Sequence, residues 1–346
     1  MPTYNGAAFL AETLASIAAQ TFKDYEVLIV DDGSKDSTLD IAEAYAASDA
    51  RVRVVRNSER AGSSARNANR CAKLARGEWL KFLFQDDVMT PSCLEQMLDA
   101  GRQCPFVITW HGYLFEPNVD EPTRQYYESL PTLASALPGT YATIDRFCDA
   151  TLTHWYINFI GPTSSSLIRR DCFDRYGGFN PDIATFPDLE CWIRLGSHEG
   201  LVIATERLVM YRVHGTSITA GMRDRSNPRR FQYSLETVAL QCKLARSPVY
   251  ETMRNRARMH HGIDPEDVAQ AQVVEARWGA FDVSFRTRDP TTRNEWETFC
   301  AKHAEVRGVL QAVDAKMSRW ARFKQSLKAR IYSSKTGSIN ENEQCP

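Results

Sequence analysis

Short apolar runs alternate with amphipathic segments through the first hundred residues of the chain. The run at residues 25–30 ends in the polar stretch 31–38, and the alternating run at 51–56 ends in a loop of glycine and serine. A segment with apolar residues at helical spacing follows each run. Strands that alternate with helices form βαβ units, so this pattern predicts an α/β fold with a mostly parallel central sheet flanked by helices.

A third apolar run, at residues 79–84, stops at Gln85, Asp86 and Asp87. A short apolar run that ends in turn residues predicts a buried strand. Its carboxyl end would lie at the edge where open α/β sheets bind ligands, and carboxylates there suit a divalent cation that holds a diphosphate. An Asp pair alone is nevertheless more often a solvated turn, because Asp favours turns for local reasons.

The pattern of the chain changes beyond this third run. Residues 116–137 are polar and contain proline, which predicts loops, while residues 201–213 predict two short strands. From about residue 226 onward, helical patterns with repeated charges replace the strand pattern. We therefore predict an α/β domain at residues 1–222, a helical extension at 223–332 and a disordered tail at 333–346.

Composition and charge exclude several classes of function. The chain has 346 residues, of which 43% are hydrophobic and 25% charged, as in a soluble globular protein. A formal net charge of −1 gives no global attraction to nucleic acid, so we expect no nucleic-acid partner. Nine dispersed cysteines predict reduced thiols, no run is long enough to span a membrane, and no secretory signal pattern is present. These features together predict a cytoplasmic protein.

Further candidate site residues stand where strands or loops run into helices. Asp31 and Asp32 follow the first apolar run, Arg66 begins a helix, Asp188 begins another, and His214 ends a strand. Backbone amides exposed at such junctions favour anions and polar ligands. Each residue also has an ordinary structural explanation, such as a turn, a solvated helix face or a charge that complements a helix dipole. The residue types alone therefore leave both interpretations open.

The order of these motifs closely resembles that of the family 2 glycosyltransferases, whose domain has the GT-A nucleotide-diphospho-sugar transferase fold. The resemblance covers residues 1 to about 220 and rests on the ordered motifs PTYNG, VDDGSKDST, GSSARN, GEWLKFLFQDD, GGF and PDLECWIRL. It implies an inverting enzyme that moves a sugar from a nucleotide-diphosphate sugar to a hydroxyl acceptor, in the synthesis of cell-surface polysaccharide or glycolipid. UDP and dTDP are the first expectations for the nucleotide.

The resemblance also implies roles for individual residues. Pro2, Thr3 and Tyr4 match a nucleotide-binding loop in which the aromatic ring packs against the base. Asp188 matches the catalytic base, and the positions implied to bind Mg²⁺ or Mn²⁺ are Asp86 and His214. The remaining positions implied to bind the nucleotide are Asp31, Asp32, Arg66, Gln85 and Asp86. From their positions, we further expect the acceptor pocket to be shaped by Gly161, Pro162, the run Ser164 to Ser166 and Trp192.

This chain departs from the family pattern at two points. Phe84 occupies the position of the first Asp in Asp-x-Asp-Asp, a residue that contacts the ribose or the metal. Either another group replaces that carboxylate, or the affinity for nucleotide is lower. The chain also starts at Met1 and Pro2, where family members have a strand before the PTYNG loop. We therefore expect a sheet without its first strand, from a start codon assigned too far downstream or a truncated chain.

Two alternatives remain open at this point. A non-catalytic scaffold that binds a nucleotide sugar through a degenerate DxD motif would keep the fold without transferring sugar. The second alternative concerns residues 317–332, from Met317 to Tyr332, which mix aromatic and basic residues at helical spacing. This segment would either contact the inner face of an anionic membrane or pack on the catalytic domain.

Overall fold

A computed structural model of the chain describes five stretches of residues: 1–130, 132–154, 157–183, 185–217 and 230–316. The chain divides into two compact units, Met1–Asp224 and Arg225–Pro346. The predicted amphipathic segment at residues 317–332 and the predicted disordered tail at 333–346 lie outside the described residues.

The first sheet of the first unit consists of three parallel strands in chain order: β1 (Pro2–Thr3), β2 (Val27–Asp31) and β3 (Val52–Arg56). Three helices connect or follow these strands: α1 (Ala7–Ala18), α2 (Thr38–Ser48) and α3 (Ser64–Leu74). Every residue of β2 is buried, as expected for the middle strand of a sheet with helices packed against it. Parallel pairing places the carboxyl ends of the strands at one edge.

The two-residue strand β1 consists of Pro2 and Thr3, the first two residues of the PTYNG motif. Pro2 pairs with Val30 and Thr3 with Asp31, in parallel register. The amide of Val30 donates to the carbonyl of Met1 at 2.9 Å, and the amide of Asp32 donates to the carbonyl of Thr3 at 2.9 Å. These extended residues belong to the PTYNG motif and pair with the carboxyl half of β2. The absence of a strand before that motif stays a prediction.

The second sheet has the strand order β4-β8-β6-β9-β5, with β7 paired to β9. Its strands are β4 (Trp79–Lys81), β5 (Val88–Met89), β6 (Phe106–Phe115), β7 (Tyr141–Ala142), β8 (Ser166–Arg169) and β9 (Leu201–Val213). Only β6 and β9 pair in parallel, and the other pairs are antiparallel. The predicted α/β fold is thus confirmed. The expectation of mostly parallel strands holds for the first sheet only, because four of the five strand pairs in the second sheet are antiparallel.

The remaining helices of the first unit are α4 (Cys93–Ala100), α5 (Glu121–Ser129), α6 (Leu133–Ala136), α7 (Ile144–Thr153), α8 (Arg170–Tyr176) and α9 (Pro187–Glu199). Helices α5 and α6 lie where loops were predicted. Both start at good N-caps, since Asp120 accepts from the amide of Thr123 and Thr132 forms a capping box with Ser135. The prediction of two strands at residues 201–213 was also wrong, because exposed residues 205–207 lie within the continuous strand β9.

The second unit is helical throughout its described residues. Its helices are Arg230–Arg246, Glu251–His260, Pro265–Thr287, Thr291–Lys302 and Ala304–Lys316. They enclose a core of their own that includes Leu235, Val273, Trp296 and Val306. In neither unit do the described residues form a helix of the length and apolar character that a membrane span requires.

Candidate functional site

The loops that follow β1 and β2 interlock at the carboxyl edge of the first sheet. The carboxylate of Asp31 accepts hydrogen bonds from the hydroxyl of Thr3 at 3.2 Å and from the amides of Gly33 and Ser34 at 3.0 and 2.9 Å. The amide of Asn5 in turn donates to the hydroxyl of Ser34 at 2.9 Å. Asp31 is buried and therefore shapes this pair of loops.

Asp32 holds a second loop against the same edge. Its buried carboxylate accepts hydrogen bonds from the side-chain amide of Asn57 at 2.8 Å and from the backbone amide of Gly62 at 3.1 Å. The backbone amide of Ala61 also donates to it. These donors satisfy the buried carboxylate and fix residues 57–62 beside the loop that carries Tyr4.

Arg60 projects from this second loop, and the sequence analysis did not single it out. Its guanidinium carbon lies 4.1 Å from the centre of the Tyr4 ring, and its Nε lies 4.0 Å from an oxygen of Asp32. A planar cation over an aromatic face is a favourable contact. The predicted Arg66 instead lies in the first turn of α3 with an exposed side chain. The structure thus brings Tyr4, Asp32 and Arg60 together in one group.

Asp86 and His214 meet although 128 residues separate them along the chain. The Nε2 of His214, directly after β9, lies 3.0 Å from a carboxylate oxygen of Asp86, in the turn between β4 and β5. The other ring nitrogen lies 2.9 Å from the hydroxyl of Thr216, and the ring packs 4.8 Å from that of Phe9. A histidine that binds a metal is usually oriented by a hydrogen bond at its other ring nitrogen, and these contacts fix the imidazole of His214 in the same way.

The chemistry of this pair fits a divalent cation that takes its other ligands from a diphosphate. A carboxylate oxygen suits Mg²⁺ and Mn²⁺, and an imidazole nitrogen suits Mn²⁺ better than Mg²⁺. Within the described ranges, no group of three or more His, Cys, Asp or Glu side chains has a metal-binding arrangement. The protein would therefore supply two ligands from Asp86 and His214, with the substrate and water supplying the rest.

Asp87 supports Asp86 and His214 from the protein interior. It accepts hydrogen bonds from the hydroxyl of Ser164 and from the amide of Arg212 at 2.9 Å. The same hydroxyl of Ser164 accepts from the amide of Phe84 at 3.0 Å. Burial raises the pKa of the Asp87 carboxyl, and the nearby charge of Asp86 raises it further. Asp87 therefore joins the turn that carries Asp86 to β9, the strand that leads into His214.

Arg212 is a second supporting residue that the sequence did not reveal. Its buried guanidinium donates from Nε to the main-chain carbonyl of Asp86 at 2.8 Å. It also forms ion pairs with Glu12 and Glu116 and lies over the ring of Phe9. A buried cation is stable only with such partners, so this network fixes the backbone of Asp86 beside His214.

Asp188 lies in the first turn of α9, and it differs from its neighbour Glu190. Burial raises the pKa of the Asp188 carboxyl to about 6, although the amide of Leu189 and the side chain of Asn158 partly offset the shift. Glu190 is bound in a buried ion pair with Arg194, with 2.9 Å between the charged atoms. Of these two carboxyl groups, only Asp188 has the properties expected of a general base near neutral pH.

Trp192 does not shape a pocket as the sequence analysis expected. Its ring is fully buried in the core of the first unit, 5.3 Å from the ring of Phe106. Its indole N–H donates to the carbonyl of Gly161 at 3.1 Å. The side chain is large and apolar, so the core takes it in, and its contribution to the site is to support the loop beside Asp188.

Comparison with known proteins identifies the family. Residues 1–177, just over half of the chain, match Glycosyl transferase family 2. The chain belongs to this family. The resemblance inferred from the ordered motifs is thereby confirmed.

Two bacterial relatives of this family 2 chain match parts of it. EpsJ of Bacillus subtilis (strain 168), an uncharacterized glycosyltransferase, is 34% identical over 113 residues, which are 33% of this chain and 32% of EpsJ. TuaG of the same organism, a glycosyltransferase assigned to teichuronic acid biosynthesis, is 32% identical over 115 residues, which are 33% of this chain and 45% of TuaG. The matches therefore span less than half the length of either relative.

A solved structure shows that the fold extends beyond the matched segment. The crystal structure of S. aureus TarS 1-349 in complex with UDP-GlcNAc aligns with a TM-score of 0.54 and 15% sequence identity, over 87% of this chain and 90% of that chain. This likeness confirms the predicted GT-A fold of the family 2 chain.

Phe84 lies two residues before Asp86 in this family 2 chain, and its side chain is partly exposed. Its main chain is held by Ser164, so the position that a carboxylate occupies in the family pattern presents a phenyl ring here. Gln85, predicted to contact nucleotide, directs its side-chain amide to the main chain of Tyr4. The first Asp of the motif is thus absent, while Asp86 keeps its position against His214.

Proposed function

We propose that this chain is an inverting glycosyltransferase that uses a nucleotide-diphosphate sugar as donor and a hydroxyl group as acceptor. The observation that carries the proposal is the 3.0 Å contact between Asp86 and His214, two residues that the family resemblance assigns to one metal site. The group formed by Tyr4, Asp32 and Arg60 supplies an aromatic ring, a carboxylate and a cation for the nucleoside. Asp188, whose pKa is raised by burial, is the proposed general base.

The proposed reaction breaks the bond between the anomeric carbon and the diphosphate and forms a bond to the acceptor oxygen. The base of the nucleotide would lie against Tyr4, with Arg60 and Asp32 at its edge. A divalent cation bound to Asp86 and His214 would neutralise the charge that develops on the departing diphosphate. Asp188 takes the proton of the acceptor hydroxyl while that oxygen attacks the face opposite the leaving group, which inverts the anomeric centre.

The relatives guide our proposal for the donor and the acceptor. TarS is solved with UDP-GlcNAc, and TuaG is assigned to teichuronic acid biosynthesis. We therefore propose a UDP-sugar donor, a saccharide or lipid-linked saccharide acceptor and a role in cell-surface polysaccharide synthesis. Action in the cytoplasm, at the inner face of the membrane, would fit such an acceptor.

A screen of nucleotides tests this proposal. We expect UDP, UDP-GlcNAc or a related UDP-sugar to raise the melting temperature, and Mn²⁺ to enlarge the shift. A ligand at about 100 times its Kd adds about 2.7 kcal/mol to the free energy of unfolding, which a thermal-shift assay detects. The absence of a shift with UDP, GDP or dTDP compounds, with and without Mn²⁺, would contradict the proposal.

The phenyl ring of Phe84 favours one second candidate, a binding protein without transferase activity. Loss of the first carboxylate of the motif would weaken the metal site while the nucleoside group remained intact. Such a scaffold would bind UDP equally well with and without Mn²⁺ and would release no UDP from a UDP-sugar. Release of UDP that depends on Mn²⁺ excludes it.

Replacement of Phe84 by Asp supplies the missing carboxylate. We expect Phe84→Asp to bind UDP with Mn²⁺ about tenfold more tightly than the wild type, because affinity for a hard cation rises with the charge of its ligands. Phe84→Asn is the matched control, since it has the same shape without the charge. Titration calorimetry measures both variants, and an equal gain in the Asn variant, or a gain without Mn²⁺, would contradict the explanation.

A further inference from the structure

The side chain of Gln85 is bound at both ends of its amide to the main chain of Tyr4. Its Oε1 accepts from the amide of Tyr4 at 2.8 Å, and its Nε2 donates to the carbonyl of Tyr4 at 3.1 Å, across 81 residues of sequence. The side chain thus pairs with Tyr4 much as a neighbouring strand would, and it satisfies both polar groups of that residue's main chain.

The main chain of Gln85 is fixed as well. Its carbonyl accepts a hydrogen bond from the hydroxyl of Thr13 in α1 at 2.9 Å. Since Asp86 is the next residue and contacts His214, the backbone that carries Asp86 begins at this fixed point. The main chain of Gln85, which leads to Asp86, is therefore held by Thr13, and its side chain is held at two points by Tyr4.

Gly6 leaves the space that this arrangement needs. A Cβ atom at Gly6 would lie 2.2 Å from the Cδ and Oε1 atoms of Gln85, which is far inside van der Waals contact. The amide of Gly6 donates to the hydroxyl of Thr38 at 2.7 Å, so the loop is held from its other side by the segment that follows β2. The loop of Tyr4 lies between Gln85 and that segment.

We propose that Gln85 is a positioning residue that sets the base-binding ring of Tyr4 at a fixed place relative to Asp86. This proposal rests on the proposed function, in which Tyr4 contacts the base of a nucleotide and Asp86 binds the cation at its diphosphate. Each end of the Gln85 amide is bonded to Tyr4, so the residue is placed to act through the loop and not through direct contact with the diphosphate. The metal-side residue Gln85 thereby controls affinity for the nucleoside.

Two small probes separate this role from direct contact. Uridine reports the nucleoside end of the site, and pyrophosphate with Mn²⁺ reports the metal end. We expect Gln85→Ala to bind uridine about tenfold more weakly, because the polar groups of Tyr4 lose their partner, and to bind pyrophosphate with Mn²⁺ as the wild type does. Loss at the pyrophosphate end alone, or unchanged affinity for both probes, would overturn the proposal.

Gln125→Ala is the matched control for this experiment. Gln125 lies exposed on α5, where its amide reaches only the helix neighbour Glu121, at 3.0 Å. We expect this variant to bind both probes like the wild type. Equal weakening of uridine binding in the two variants would show a general effect of losing a glutamine and would contradict the specific role of Gln85.

A conservative variant tests the hydrogen bonds themselves. Gln85→Glu keeps the acceptor for the amide of Tyr4 but loses the donor to its carbonyl. We expect weaker uridine binding than in the wild type at pH 7.5, because an ionised carboxylate has no proton to donate. Uridine binding as tight as that of the wild type would count against the proposal.

Hydrogen exchange makes the proposal independent of ligand binding. The amide of Tyr4 should exchange faster in Gln85→Ala than in the wild type or in Gln125→Ala, because it loses its acceptor. A wild-type chain that binds no uridine and no UDP contradicts the proposed function, whereas unchanged exchange at Tyr4 contradicts the role of Gln85. The two failures are therefore distinguishable.

Discussion

Asp188→Asn is expected to abolish sugar transfer while leaving the binding of UDP unchanged. The amide has nearly the shape of the carboxylate and keeps an oxygen that accepts from the amide of Leu189, which lies 2.8 Å away in the wild type. It cannot take a proton from an acceptor hydroxyl. Since a positioned general base contributes about 10²- to 10⁴-fold to a rate, we expect a loss of this size.

The pH dependence of the wild type gives an independent check on Asp188. Burial raises the pKa of this carboxyl to about 6. A base must be ionised to accept a proton, so the transfer rate should fall as the pH drops below that pKa and reach a plateau above it. A rate that stays constant from pH 7.5 down to pH 5 would exclude Asp188 as the base.

These measurements use the release of UDP from the UDP-sugar that the nucleotide screen selects, and calorimetry for binding. Asp99→Asn serves as the matched control, because Asp99 lies on α4 with 75% of its side chain exposed. We expect the control to turn over like the wild type. If Asp188→Asn turns over at the wild-type rate as well, the assignment of the base is wrong.

Asp86→Asn is expected to remove the dependence of nucleotide binding and of turnover on Mn²⁺. The neutral amide preserves the size of the side chain beside His214 but lacks the charge that attracts the cation. Charge stabilisation by a bound metal is worth several kcal/mol in a transition state, and about 1.4 kcal/mol corresponds to a factor of ten. We therefore expect turnover with saturating Mn²⁺ to fall at least about 10²-fold.

Binding measurements separate this effect from damage to the rest of the site. Uridine, which has no diphosphate, should bind Asp86→Asn as tightly as it binds the wild type, while UDP should lose the gain in affinity that Mn²⁺ provides. Asp99→Asn again controls for the change from Asp to Asn. Retention of a full Mn²⁺ response by Asp86→Asn would mean that the metal binds elsewhere.

Much of the fold follows from patterns that are local in the sequence. The strands β2 and β3 and the helix between them were predicted within a few residues, because burial of an apolar face leaves a period of two or of 3.6. The two-residue strand β1 and the short helices α5 and α6 were missed. They depend on a pairing partner or on caps more than on a long hydrophobic pattern.

Some residues of the candidate site were likewise found from the sequence, and others only from their contacts in the structure. The ordered motifs identified the family and drew attention to Asp32, Asp86, Asp188 and His214 without any coordinates. Arg60 and Arg212 had no comparable signal, because an arginine in a loop and one in a strand differ from others only through what they contact. Arg60 is selected by its place over Tyr4, and Arg212 by its contact with the carbonyl of Asp86.

By itself, the sequence determined the class of fold, the family and the chemical types available for the reaction, since these depend on residue identity and local order. Only the tertiary structure decided which of those residues meet. Asp86 and His214 are 128 residues apart and Tyr4 and Gln85 are 81 apart, so their contacts depend on how the two sheets bring distant strand ends together. The physical reason is that such contacts leave no periodic trace along the chain.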